Sequence, residues 1–144
     1  MNFQTSVKTC LTEKYATFSG RASRSEYWWF ILAMVIASVL FTLIGIRLLY
    51  FVYMLAVLCP TVAVGFRRLQ DTGKPGWYIL FPIGLSLVNN YLAPSPTMHG
   101  PYHGPGVLMM FVGVIGLVLG LVFIYLLTRP SDPGDNAYGP PPVH

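Results

Sequence analysis

From Tyr27 to Ile46 the chain carries no charged residue, and the same holds for Leu48 to Phe66, Trp77 to Ala93 and Val107 to Leu127. About 20 apolar residues in helical form cross the hydrocarbon core of a bilayer. The expected fold is therefore all-α: an integral membrane bundle of four transmembrane helices, with spans at about 27–46, 48–66, 77–93 and 107–127. At 144 residues the chain makes one membrane domain over residues 1–130, with an irregular tail over 131–144. Composition agrees, since only 10% of residues are charged, against about 25% in soluble chains. The net charge of +4 would suit nucleic acid, but nearly all Lys and Arg flank the apolar runs. No basic face with interleaved aromatics remains once those flanks are set aside, so no nucleic-acid partner is expected. The first run is long enough to span and no cleavage site follows a short core, so it is read as an uncleaved anchor.

The flanks give an orientation. Lys8, Lys14, Arg21 and Arg24 precede the first run, Arg67, Arg68 and Lys74 lie between the second and third, and Arg129 follows the fourth. Only Arg47 falls on the other side, so both termini and the central loop are expected in the cytoplasm. Tyr27, Trp28 and Trp29 form an aromatic belt where the first span begins. Ser23 and Glu26 stand in the Ser-x-x-Glu relation of a capping box, each reaching a free amide of that helix end. Before them, Phe3, Val7, Leu11, Tyr15 and Phe18 recur close to helical spacing, with Cys10 beside them. This segment reads as a helix lying in the membrane interface or as a cap packed on protein. Pro60 is expected to kink the second span and to free a main-chain carbonyl that Thr61 or a neighbour must satisfy. The tail, SDPGDNAYGPPPVH, is too rich in Pro and Gly for a helix.

The one strongly charged segment inside this apolar chain is FRRLQDTGKPGW, Phe66 to Trp77, read as a short cytoplasmic loop ended by Gly73 and a Pro75-Gly76 turn. Arg67 and Asp71 have the spacing of a helix pair, but with the base first, the weaker order. Asp71 also falls near a helix C-terminus, where the dipole disfavours a carboxylate. A partner beyond its own helix is expected, and Arg21 or Arg24 is the candidate. The tail is expected to close over this pair through Asp135, Asn136 and Tyr138, with turns at Gly134 and Gly139. The candidate functional cluster is Arg21, Arg24, Glu26, Arg67, Arg68, Asp71, Lys74, Asn136 and Tyr138. Its five basic residues, Arg21, Arg24, Arg67, Arg68 and Lys74, are expected to form one patch at headgroup level that favours anionic lipid.

FSGRASRSEYWWF, FRRLQDTGKPGW and the tail PGDNAYGPPP, in that order, resemble the bacterial inner-membrane family called domain of unknown function 805, the YhaH-like proteins. The resemblance covers essentially the whole chain. It implies a small multi-span protein of the bacterial inner membrane and no established activity. The chain departs from the family pattern at Gln70, where His is common, at Pro75, where Ser is common, and at Ala137, where a basic residue often follows the Asn. Without that His, the loop lacks the group a proton-transfer role would use.

Other candidates carry less. Ser86, in Gly84-Leu85-Ser86, sits as an intramembrane protease nucleophile would, but no base lies within a span to take its proton. His99 and His103 are four apart, yet Gly100, Pro101 and Gly104 forbid a regular helix and two ligands alone do not hold zinc. Gly113, Gly116 and Gly120, with Ala33 and Ala37, are small residues suited to close helix packing, within the bundle or between copies. Cys10 and Cys59 lie in unlike segments and imply no disulfide. No cofactor and no metal is expected. The function expected is a non-catalytic membrane scaffold or interaction protein with a charged cytoplasmic face, contacting lipid and a second copy or another membrane protein. A small oligomeric transporter or channel is one alternative, though no ionisable group falls inside the expected spans. A lipid-modifying enzyme at the cytoplasmic interface is the other, since arginine forks suit phosphates.

Overall fold

The computed structural model describes residues 1–92 and 107–142, and its regular elements are all helices, with no strand among the described residues. A short helix α1 (Phe3–Lys8) runs into a π-helical turn (Thr9–Glu13). Then come α2 (Arg24–Ile44), α3 (Arg47–Asp71), a 3-10 turn (Gly76–Ile79), α4 (Leu80–Leu92) and α5 (Val107–Thr128). Three helices are long and apolar enough to cross a membrane: α2, α3 and the stretch Met110–Thr128 of α5. Gly76–Val88 is a shorter apolar helical segment, so the expected third span is reduced to a turn followed by α4.

The molecule is built inside out relative to a water-soluble fold. Leu43 is 78% exposed, whereas Arg68 is 0% exposed. Apolar side chains along α2, α3 and α5 point outward, which suits hydrocarbon and not water. The buried apolar cluster gathers at one end of the bundle, where Tyr27 and Phe30 of α2, Val64 and Leu69 of α3 and Phe123 and Leu127 of α5 meet Cys10 and Ala22.

The connection between α2 and α3 is Gly45-Ile46, as the placing of Arg47 at a tight turn requires. Gly45 ends α2 at φ +75°, a left-handed conformation that a Cβ disfavours. The two helices are joined again midway, where the Tyr53 hydroxyl donates to the Met34 carbonyl at 2.7 Å and the Tyr53 ring stacks on Phe41 at 4.6 Å. At the charged end, Gly76 lies directly against Phe66, bringing the 3-10 turn onto α3.

The N-terminal segment acts as a cap on protein. Ser6, Thr9 and Cys10 are its buried face, because small side chains at helical spacing let it approach α2. The Ser6 hydroxyl donates to the Ser25 carbonyl at 3.4 Å. The apolar residues expected to mark the packed face, Phe3, Tyr15 and Phe18, stay partly exposed, with Phe3 edge-on to Trp29 and Phe18 edge-on to Phe66.

Candidate functional site: a buried ion cluster

The charged stretch is not a solvated loop. Arg, Leu and Gln are good helix formers, and α3 continues through them to Asp71, five residues beyond the expected end of the second span. The helix stops at Gly73, φ +68°. The Gly73 amide donates to the Gln70 carbonyl at 3.1 Å and the Lys74 amide to the Leu69 carbonyl at 3.0 Å, the double closure of a Schellman motif. Arg67, Arg68 and Asp71 are therefore held on the last turns of a helix, and all three are buried.

Their partners come from the start of α2. Ser23 caps that helix, its hydroxyl accepting from the Glu26 amide at 3.2 Å. Only this half of the expected capping box forms. The Glu26 carboxylate turns away from Ser23 and pairs with Arg67 instead, because an unpaired buried guanidinium costs far more than one free helix amide. Arg21 lies before the cap, in extended chain, and its Nε donates to Asp71 Oδ1 at 2.9 Å. Arg68 pairs with the other carboxylate oxygen of Asp71. Asp71 thus finds its partners in Arg21 and Arg68, and Arg67 goes to Glu26 rather than to Asp71. The chain crosses here as well, since the Ala22 amide donates to the Arg67 carbonyl at 3.1 Å.

Three buried arginines face two buried carboxylates, and main-chain oxygens absorb the excess. Arg68 Nε donates to the Leu127 carbonyl at 3.0 Å, and its Nη2 donates to the Arg129 carbonyl. The guanidinium thereby caps the C-terminal end of α5, where free carbonyls and the helix dipole favour a cation. Arg21 donates to the carbonyls of Asp132 at 2.5 Å, Gly134 at 2.7 Å and Gly139 at 3.3 Å.

The tail closes over the cluster, through Asn136 as expected and through Ser131 and Asp132 besides. The Ser131 hydroxyl donates to Asp71 Oδ2, and the Asp132 amide donates to the Asp71 carbonyl at 3.1 Å. Asn136 Nδ2 donates to the Gln70 carbonyl at 3.0 Å, and Asn136 Oδ1 accepts from the Tyr138 amide at 2.9 Å. Asp135 is exposed and makes none of these bonds, because the carbonyls around it already supply the oxygens Arg21 needs. The expected turn at Gly139 has φ +117°, whereas Gly134 has no positive φ.

Arg24 and Lys74 are not brought in. Both are exposed, and among the described residues neither has a carboxylate within ion-pair distance. Arg24 is the first residue of α2 and its side chain is exposed, whereas Asp71 is taken by Arg21 and Arg68, so Arg24 is not the partner of Asp71. The basic patch of five residues is corrected accordingly, since Arg21, Arg67 and Arg68 face inward.

Sequence reasoning missed two members. Cys10 is buried with its Sγ 3.9 Å from Glu26 Oε1 and 3.8 Å from an Arg67 nitrogen. Burial first, and then the Glu26 charge, push its thiol up to about 11, with Arg67 offsetting part of the effect. A usable signal was its helical spacing from Ser6, which places both on one small-residue face. Ser131 had a weaker signal, its position just beyond the end of the last span. Ser86 borders a cleft of about 260 Å³ with Pro82, Leu85, Val112, Gly113 and Gly116, none of which titrates. His99, His103 and His144 lie outside the described residues.

Chemically, the cluster is a lock. Each of its buried guanidiniums is paired with a carboxylate and each carboxylate with a guanidinium, and among the described residues Arg67 Nε is the one guanidinium nitrogen buried without a partner. The model of a family described as "Protein of unknown function (DUF805)" matches residues 15–140, which hold Arg21, Glu26, Arg67, Arg68, Asp71 and Ser131. Inner membrane protein YhaI of Escherichia coli K12 is 41% identical over 76 residues, 48% of this chain and 64% of YhaI's own length. Inner membrane protein YhaH of the same strain is 29% identical over 140 residues, 90% of each chain. Uncharacterized protein YiiR of that strain is 32% identical over 131 residues, 85% of this chain and 84% of YiiR. No solved structure matches.

Proposed function

The chain belongs to the DUF805 family of membrane proteins of unknown function, and from that premise we propose that it is a non-catalytic scaffold or interaction protein of the bacterial inner membrane. The observation that carries this reading is the commitment of every buried Arg, Asp and Glu among the described residues of the charged end to an ion pair. An enzyme or a proton-coupled carrier keeps such a group available to substrate or water. The exposed part of the same end, with Arg24 and Lys74 outward and Trp28 and Trp29 partly exposed one turn further, is the surface that meets lipid headgroups and a membrane partner.

The proposed arrangement has four spans, the fourth made by the 3-10 turn and α4, with both termini and the charged end in the cytoplasm. The distribution of Lys and Arg supports it. Single-cysteine labelling from outside, in a chain lacking Cys10 and Cys59, should modify position 103 and spare position 73; the reverse pattern overturns the topology. The function is tested by purification in a mild detergent with mass spectrometry of co-purifying proteins and lipids. A reproducible membrane partner lost on Arg24→Gln with Lys74→Gln supports the scaffold. Solute flux through vesicles containing only this chain would contradict it.

A further inference from the structure

The tail crosses the ion cluster without joining the apolar core, to which none of its residues contributes. Its hold is polar and centres on one side chain: three carbonyls, from Asp132, Gly134 and Gly139, accept from the Arg21 guanidinium, while Ser131 and the Asp132 amide bond to Asp71 and Asn136 bonds to the Gln70 carbonyl. Residues 136–139 are braced against themselves, with the Asn136 and Gly139 amides donating to each other's carbonyls at 3.2 and 3.0 Å. A segment braced internally and held at a few polar points opens as a unit. Lifting it leaves the Arg21–Asp71 pair in place, since that bond joins other parts of the chain.

Charge supplies the reason for opening. From Ser131 onward the sequence holds Asp132 and Asp135 and neither Lys nor Arg. Beneath it stand three buried arginines against two buried carboxylates, with Arg24 exposed beside them. Ser131 and Pro130, at the root of the tail, line a cavity of about 400 Å³ with Ser23, Arg24 and Ser25 at the start of α2. An acidic segment rich in carbonyl oxygen thus covers a basic face next to exposed Trp28 and Trp29. Anionic phospholipid headgroups offer the same chemistry to the same face and repel the tail's carboxylates. Resting on the reading of a lipid-contacting scaffold, we propose that residues 131–139 are a strap that competes with anionic lipid headgroups, closed over Arg21 on a neutral membrane and lifted on an anionic one.

The test is amide hydrogen exchange of the full chain in nanodiscs of phosphatidylcholine, alone or mixed with phosphatidylglycerol. The Asp132 amide, bonded to the Asp71 carbonyl, reports the strap, and the Ala22 amide, bonded to the Arg67 carbonyl, reports the cluster beneath. The Asp132 amide should exchange about tenfold faster in the anionic discs, because two carboxylates meet a repulsive surface. The Ala22 amide should not change, and added sodium chloride should close the gap. Arg21→Lys should open the strap in neutral discs too. Equal strap exchange in both discs overturns the proposal, as does acceleration of Ala22 together with the strap. Opening by inorganic phosphate in neutral discs overturns the assignment to lipid. The underlying reading fails separately: a purified chain that retains neutral and anionic lipid equally loses lipid contact as a function, whereas anionic retention with equal exchange sinks only the strap.

Discussion

The Tyr15 hydroxyl donates a hydrogen bond to the main-chain oxygen of Ala56, four residues before Pro60. In an unbroken helix that oxygen would accept from the amide of residue 60, and proline has none. The N-terminal segment therefore repairs the defect in α3 from outside, in the part of the chain where hydrocarbon offers no substitute. Tyr15→Phe should lower unfolding stability in mixed micelles by about 0.5–1.5 kcal/mol, the net worth of one hydrogen bond. In a Pro60→Ala background the helix supplies its own donor, and the same change should cost far less. Equal cost in both backgrounds would show that Tyr15 acts by packing alone.

Cys10 should be a slow thiol. Its pKa is pushed up to about 11 from an ordinary 9.0, so at pH 8 it stays protonated as well as buried. Maleimide should label it only after unfolding, and fast labelling of the folded chain would contradict the placement. The sign of the pH effect follows from the raised value. The thiol's contribution is complete below about 9 and is lost as pH rises through about 11. The stability difference between wild type and Cys10→Ala should therefore shift against the wild type across that interval.

Two glycines should respond oppositely to the same change. A Cβ on Gly76 would stand 2.5 Å from Phe66 Cδ1 and 3.1 Å from its Cα, so the backbone itself would have to give. Gly76→Ala should cost about 1–3 kcal/mol by overpacking, read from the unfolding midpoint. A Cβ on Gly120, inside α5, meets nothing within 4 Å, and Gly120→Ala should raise the midpoint, since Ala favours a helix interior by about 0.5–1 kcal/mol. A Gly76 variant as stable as the wild type would mean that the 3-10 turn does not seat on α3.

Three long apolar helices were legible because a bilayer imposes a local demand, an uncharged length, that a sequence displays directly. The helix of the second apolar run continues past Phe66 to Asp71 for the complementary reason. Charge was assigned to water, whereas Arg67 and Arg68 stay helical because carboxylates and carbonyls wait for them. The misfit of Asp71 was legible, being a conflict with its own helix dipole. The choice of Arg21 over Arg24 turned on where α2 begins: Ser23 caps it, so Arg24 lies on the helix and Arg21 in the extended chain before it. The bonds of Cys10, Ser131 and Tyr15 link residues far apart in sequence, and no local pattern announces them.

The account stands on the buried pair of Arg21 and Asp71. Exposed ion pairs are worth under about 1 kcal/mol, whereas breaking a buried pair from one side costs about 3–5 kcal/mol, because the other charge stays buried and unpaired. The direct measurement is a double-mutant cycle on unfolding free energy with Asp71→Asn and Arg21→Gln, and a parallel cycle with Arg24→Gln. Each single change of the first cycle should destabilise by several kcal/mol, the double should cost much less than their sum, and the Arg24 cycle should be additive. Additivity of the Arg21 cycle within error would contradict the lock and return the charged end to a solvated loop.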